Sequence, residues 1–411
     1  MANAKTKPRL SLCLATFNRA RYLDRYLTHH LSALDASGID YELVVSDNCS
    51  TDETPEILAR YASRHPQMRV SRQSQNVGAY PNILETLRRA RGEVVVSIAD
   101  DDLMIAEPLL AYVQRMIDEP DLVMIQAPWF LMDETKGGAV TGQFYHLEAE
   151  QGFRRGQFAN CLGFILQNDL FPECWIIRGS ALARINGPNP KFAYSFFALL
   201  ANALLQGEVL FCPEPYLLVT SVSEGDNVHV GNGEAMEAWD IYRGGLELLA
   251  SYARQFNPGV LPDAGSLGDA IQAMIFNRMA VAAKLQVHAR NWSNAYEILR
   301  RLHAYEILPN IGMDQAALAR LAAVEVSLLE LVQRGATEIV VSANVSDEVL
   351  AGFNVADGVR LIRTGGVSPE DERRGYLRLD EPEPTFMRPQ DISCDVVATM
   401  ARFPAFETSV T

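Results

Sequence analysis

Over its first 118 residues this chain switches repeatedly between two hydrophobic periods, and that switching restricts the fold more than any other feature. LSLCLAT (10–16) is a short apolar run with the length of a buried strand. Residues 20–35 then place Tyr22, Leu23, Tyr26, Leu27, His30, Leu31 and Leu34 at helical spacing. The exchange recurs. YELVVSD (41–47), MRVSRQS (68–74) and EVVVSIA (93–99) read as strands. Between and after them TPEILARYASRH (54–65), PNILETLRRARG (81–92) and EPLLAYVQRMID (107–118) read as helices. Pro55 suits a first turn and Gly92 a C-cap. Such alternation with short loops predicts an α/β fold, a mainly parallel sheet flanked by helices. Right-handed crossovers bring the four strand ends to one edge, where open sheets of this kind bind ligands.

The pattern loosens after residue 120. DLVMIQAPWF (121–130), CWIIRG (174–179) and EVLFCPEPYLL (208–218) read as strands, 132–160 as a polar connection, and KFAYSFFALLANALLQG (191–207) as a helix ending at Gly207. Residues 234–333 read as amphipathic helix in about four segments. Strand-like runs return after 335. Three parts are expected: an α/β domain over 1–230, a helical region over 231–334 and a small C-terminal α/β segment over 335–411 whose role the sequence does not assign.

Composition narrows the function. A formal net charge of −15 gives no general attraction for nucleic acid or anionic lipid. No apolar stretch has the length of a membrane span, and no long apolar run follows the basic N-terminus. The six cysteines show no paired spacing, which argues against a zinc site or a disulfide framework and fits a reducing cytoplasm.

The strand ends hold the chemistry. The first runs into Thr16-Phe17-Asn18-Arg19, the second into Asp47-Asn48, the third into Asn76-Val77-Gly78, and the fourth into Asp100-Asp101-Asp102. Three consecutive aspartates at a buried strand's exit repel one another unless a cation or solvent offsets their charge. A solvated acidic turn accounts for one of them; a hard cation, Mg²⁺ or Mn²⁺, accounts for the run. Asp47 is placed to accept a hydrogen bond from a base or a ribose, or else to close an Asx turn. Asp52 is the better helix cap in that loop, and Asn76 and Gly78 also suit a plain turn.

With LSLCLATFNRARYL, ELVVSDNCSTDETPEIL, NVGAYPNILETLRRARGEVVVSIADDD and, more distantly, LLQGEVLFCPEPYLL in order over residues 9–218, the chain resembles family 2 glycosyltransferases with the GT-A fold. SDNCSTDET with ADDD is most similar to the abequosyltransferase or rhamnosyltransferase-like branch that builds bacterial surface polysaccharides. The resemblance implies transfer of a sugar from a nucleotide-diphosphate donor to a hydroxyl of a glycan or lipid-linked glycan, with Mn²⁺ or Mg²⁺ and usually with inversion. It implies a nucleotide-sugar site at Thr16, Phe17, Asn18, Arg19, Asp47, Asn48, Asn76, Gly78, Asp100 and Asp101. Asp101 falls on the second aspartate of the family's metal-binding D-x-D, Asp102 follows, and Ala99 stands where the first carboxylate belongs. His229 lies where such enzymes often add a histidine to the metal. Metal ligands are therefore expected at Asp101, Asp102 and His229.

One departure concerns the general base. Inverting relatives carry an aspartate at the start of the helix before the last core strand; here Ser195 stands there, and a serine is no base near neutral pH. Asp169 or Glu173, in QNDLFPEC, is the expected substitute. The resemblance also allows peripheral association with the inner face of the plasma membrane and a homodimer. Two other readings stand beside it. One is a nucleotide-sugar-binding regulatory protein without turnover, kept open by Ser195. The other is a nucleotidyltransferase, disfavoured because ATFNRARYL has no glycine to cradle a triphosphate.

Overall fold

The computed structural model describes residues 7–182, 192–222, 235–341, 352–353, 358–363, 374–378, 392–404 and 406. Its elements begin β1 (Leu10–Thr16), α1 (Ala20–Ser37), β2 (Tyr41–Asp47), α2 (Thr54–Ala62), β3 (Met68–Arg72), α3 (Ala79–Arg89) and β4 (Val94–Ala99). There follow β5 (Leu103–Met104), α4 (Ala106–Asp118), β6 (Leu122–Gln126), β7 (Phe130–Asp133), β8 (Ala139–Gln143), β9 (Gln151–Phe153), α5 (Phe158–Asn168) and β10 (Trp175–Arg178). Next come α6 (Gly179–Leu182), α7 (Ser195–Gln206), β11 (Glu208–Phe211), β12 (Leu217–Val222) and α8 (Trp239–Phe256).

Eight strands form one sheet in the order β3-β2-β1-β4-β10-β6-β11-β9. β1, β2, β3 and β4 pair in parallel, as do β6 and β11. β10 runs antiparallel to both β4 and β6. The expected mixed α/β fold, a large and mainly parallel sheet flanked by helices, is what the structure has. The apolar stripe of α1 is buried through Leu23, Tyr26, Leu27, His30, Leu31 and Leu34, and the helix stops at Gly38, whose φ of 70° suits the missing Cβ. Its four leucines join the strand interiors of β1, β2 and β4 in one core, each fully buried leucine worth about 2 kcal/mol, while Tyr26 packs in a separate cluster with Leu103 and Met132.

Four local expectations are corrected. DLVMIQAPWF is not one strand: β6 ends at Gln126 and β7 begins at Phe130 in a second sheet, of order β5-β12-β7-β8. EVLFCPEPYLL divides in the same way into β11 and β12 around Pro213 and Pro215. The 132–160 connection carries β8, which pairs with β7, and β9, at the edge of the large sheet. A short continuous apolar run does not reveal where a chain leaves one sheet for another. Gly92, expected as a C-cap, is not one: α3 ends at Arg89 with Ala90 as its cap. Gly92 is required by close approach instead, since a Cβ there would lie 2.4 Å from the Ser11 nitrogen.

The chain divides into two compact units, Met1–His229 with Asp240–Met274, and Val230–Trp239 with Ile275–Thr411. In the second unit, helices Trp292–His303 and Gln315–Gln333 pair, and a four-stranded parallel sheet is built from Glu338–Val341, Arg360–Arg363, Arg374–Arg378 and Ile392–Asp395. Glu338 is buried there between Arg360 (2.8 Å) and Arg374 (3.4 Å). Among the described residues no helix is long and apolar enough to cross a membrane.

Candidate active site

Strand register brings the expected residues to one edge. Thr16 pairs with Asp47, Asp47 with Arg72, and Ala15 with Ala99, so Asp100 to Asp102 begin where β1 and β2 end. β10 is antiparallel, so its start rather than its end reaches this edge. Its register sets Ile176 opposite Val96, so the loop that precedes Trp175 and carries Glu173 leads in from the side of this edge.

The acidic run is held from below by α1. Arg19, just before the helix, pairs with Asp100 (3.2 Å) and Asp101 (3.5 Å). The hydroxyls of Tyr26 and Thr220 both donate to the Asp101 carbonyl. The Met104 N–H donates to His30 Nε2 (3.3 Å), and the Met104 carbonyl lies 2.8 Å from His29 Nε2. Burial raises the Asp100 carboxyl to about 6; Arg19 opposes this and the charge of Asp101 adds to it. Asp102 is raised well above the usual range by burial and then by the charge of Asp101, against the Thr220 N–H donated to its Oδ1 at 3.1 Å. Burial also leaves His30 neutral, its pKa lowered to about 3.

The neighbouring loops are stitched together. The Asn18 N–H donates to Ser50 Oγ (2.9 Å), the Thr51 N–H to Asn18 Oδ1 (2.8 Å) and the Arg19 N–H to Thr54 Oγ1 (2.9 Å). Asn18 takes a φ of 52°, a left-handed geometry that asparagine tolerates better than most residues. Asp52, expected as the cap of α2, is not its N-cap, which is Glu53; it accepts the N–H groups of Ala20 and Thr54, both at 3.0 Å, and so ties two loops together. Phe17 stands 38% exposed at the mouth.

Asp47 is 1% exposed; it accepts the Ser50 N–H (3.0 Å) and lies 3.3 Å from Arg72 Nε. The turn-closing role weighed for it is thus present. Asn48 fixes the next loop: its Nδ2 donates to Asn76 Oδ1 (2.9 Å) and the Gly78 carbonyl (3.2 Å), and its Oδ1 accepts the Val77 N–H (2.9 Å). Gly78 has a φ of 91° and precedes α3. The Thr16 hydroxyl is buried beside Asp100.

The two carboxylates considered as a base differ in setting. Asp169 caps α5 in a left-handed conformation, φ 55°. Glu173 accepts a hydrogen bond from the Tyr194 hydroxyl at 2.7 Å. Burial, and then the negative charges of Asp102 and Glu173, push the Cys174 thiol well up, so these two carboxylates flank one residue. Ser195, at the first turn of α7, is hydrogen-bonded to Tyr80. His229 lies outside the described residues.

No three His, Cys, Asp or Glu side chains among the described residues form a ready-made metal cage. The acidic run offers hard oxygen donors with a guanidinium beside them. That suits an ion which takes one or two carboxylates and completes its shell with oxygens of a bound ligand. Sequence reasoning missed Tyr26, Thr220 and Tyr194 as site residues. Tyr26 reads as an ordinary core position of α1, and nothing in the sequence couples Thr220 to residue 101.

The profile described as "Glycosyl transferase family 2" matches residues 11–185. The chain is similar to the abequosyltransferase RfbV of Salmonella typhimurium, 29% identical over 130 residues, which are 31% of this chain and 37% of that protein. It is also similar to a putative teichuronic acid biosynthesis glycosyltransferase, TuaG of Bacillus subtilis, 33% identical over 96 residues, 23% of this chain and 37% of that protein. The chain thus spans little more than a third of the length of these curated relatives. Among solved structures, TarS 1-349 of S. aureus in complex with UDP-GlcNAc superposes with a TM-score of 0.47 at 20% identity, covering 79% of this chain and 87% of that one. Residues 11–185 are thus similar to glycosyl transferase family 2.

Proposed function

We propose that this chain transfers a sugar from a nucleotide-diphosphate donor to a hydroxyl of a glycan or lipid-linked glycan, with inversion, in the assembly of a bacterial surface polysaccharide. One observation carries the reading: β1, β2 and β4 deliver Thr16, Asp47 and Asp100 to Asp102 to a single sheet edge, and Glu173 shares the neighbour Cys174 with Asp102. The relatives named for abequosyl transfer and teichuronic acid biosynthesis support the class of product.

In this reading the loops of Thr16 to Arg19 and of Asp47, Asn48, Asn76 and Gly78 seat the nucleotide. Arg19, beside Asp100 and Asp101, presents positive charge to the diphosphate. A bound Mg²⁺ or Mn²⁺ on Asp101 and Asp102 would neutralise charge on the departing diphosphate oxygens. Glu173 takes the proton of the acceptor hydroxyl as that oxygen bonds to the anomeric carbon. The bond to the diphosphate breaks on the opposite face, its electron pair leaving with the diphosphate. Glu173 is preferred to Asp169 because it shares the neighbour Cys174 with Asp102 of the acidic run. Peripheral membrane attachment and a homodimer belong to the same proposal and are read by vesicle flotation and sedimentation.

The test is thermal. UDP, GDP, dTDP and CDP, each with Mn²⁺, are screened against the protein and against Asp101→Ala. At least one raises the melting temperature of the wild type, and Asp101→Ala loses that shift. No shift with any of them overturns the donor site.

A further inference from the structure

Helix α8 lies beyond the segment that matches the family, yet it is built against the residues that face Glu173. Gly244 and Gly245 make the approach. A Cβ on Gly244 would lie 2.0 Å from the Phe192 carbonyl oxygen. A Cβ on Gly245 would lie 2.8 Å from the Phe197 ring and 3.0 Å from the Tyr194 Cβ. Two consecutive glycines in a helix interior cost about 1 kcal/mol each against alanine, so a close contact is what they supply. The Tyr194 N–H donates to the Ile241 carbonyl on the same helix at 2.9 Å.

The Tyr194 ring is enclosed by aromatic edges. Its centroid lies 4.6 Å from that of Tyr242, 5.1 Å from Phe196, 5.9 Å from Phe197 and 6.3 Å from Phe171, all steeply inclined. Phe171 is two residues before Glu173 and itself packs on Tyr242 at 4.8 Å. One aromatic cluster therefore holds both the ring that donates and the loop that accepts. The result is the 2.7 Å hydrogen bond from the Tyr194 hydroxyl to Glu173 Oε1.

We infer that Tyr194 is a positioning residue for Glu173, aimed by the Gly244-Gly245 face of α8. The inference rests on the proposed role of Glu173. The Tyr194 hydroxyl orients the carboxylate and favours its ionised form, since a hydrogen bond donated to a carboxylate stabilises the charge. Among the described residues, the Cys174 thiol and the Tyr145 phenol also lie near Glu173, each raised first by burial and further by negative charge that includes that of Glu173. Asp102 reaches it through Cys174.

The experiment needs no substrate. Full-length protein labelled with [5-¹³C]glutamate is titrated by NMR, the Glu173 carboxyl resonance being the one lost in Glu173→Gln. Tyr194→Phe keeps the ring and removes the hydroxyl. Its Glu173 midpoint rises on the order of one pH unit above the wild type. Gly245→Ala, which displaces Tyr194, raises it as well. Gly268→Ala, where a Cβ meets nothing within 4 Å, leaves it unchanged. Equal midpoints in wild type and Tyr194→Phe overturn the inference, as does a Gly268→Ala shift as large as that of Gly245→Ala. Either result leaves the nucleotide thermal-shift test standing on its own.

Discussion

The Tyr26 hydroxyl, from the buried face of α1, and the Thr220 hydroxyl, from β12, converge on one acceptor, the backbone carbonyl of Asp101. The acidic run is thereby fixed from a helix and from the second sheet. Removing either donor leaves the carbonyl one partner and costs about 1 kcal/mol; removing both leaves it bare. Tyr26→Phe with Thr220→Val is expected to exceed the sum of the single losses by about 1 kcal/mol in urea unfolding. Simple additivity would show that the two hydroxyls do not share a partner.

Asp100 makes stability depend on pH. Its folded value, about 6, lies above the ordinary 3.8 because burial, less the help of Arg19, disfavours the charge. Between those values the folded state binds more protons than the unfolded one, so stability falls as pH rises. The contribution is complete below the unfolded value and is lost through pH 6. Asp102, also raised, acts in the same direction. In urea unfolding from pH 4 to pH 7 without divalent ions, Asp100→Asn flattens the slope and gains on the order of 2 kcal/mol over wild type at pH 7. An unchanged slope would rule out Asp100 as its source.

Glu173→Gln is expected to lower sugar transfer by about 10²- to 10⁴-fold while leaving the nucleotide-induced melting shift in place. Asp169→Asn keeps its left-handed cap, since asparagine tolerates that backbone, and leaves transfer within about threefold of wild type. If both variants keep full activity, neither carboxylate is the base.

Gly92→Ala tests a steric requirement. The added methyl meets the Ser11 nitrogen at 2.4 Å and the Val94 carbonyl oxygen at 2.7 Å, both backbone atoms in the centre of the sheet. A loss of about 1–3 kcal/mol is expected in denaturant unfolding. A loss under about 0.5 kcal/mol would mean that β1 and β4 give way without strain.

The order of β1 to β4 and α1 to α4 was legible because local pattern and burial agree there: YELVVSD is strand from Tyr41 to Asp47, and the stripe read at Leu23, Leu27, Leu31 and Leu34 is the buried one. Strand ends follow from strand order, so Thr16, Asp47 and the aspartates were found as a group. The path between the two sheets was not legible. Ala127 to Trp129 separates β6 from β7 inside a run read as one strand, and there the chain leaves the large sheet to pair in the second.

What the residues themselves determined is the chemistry available at one edge, because a parallel sheet's connectivity forces successive strand ends together. What tertiary structure alone decided is which carboxylate stands where. Glu173 arrives on the loop before an antiparallel strand, Tyr194 meets it from the N-cap of α7, and Tyr26 and Thr220 reach Asp101 from far along the chain. Those meetings arise from long-range packing, in which side chains distant in sequence complete one another's hydrogen bonds. No local period encodes such pairs.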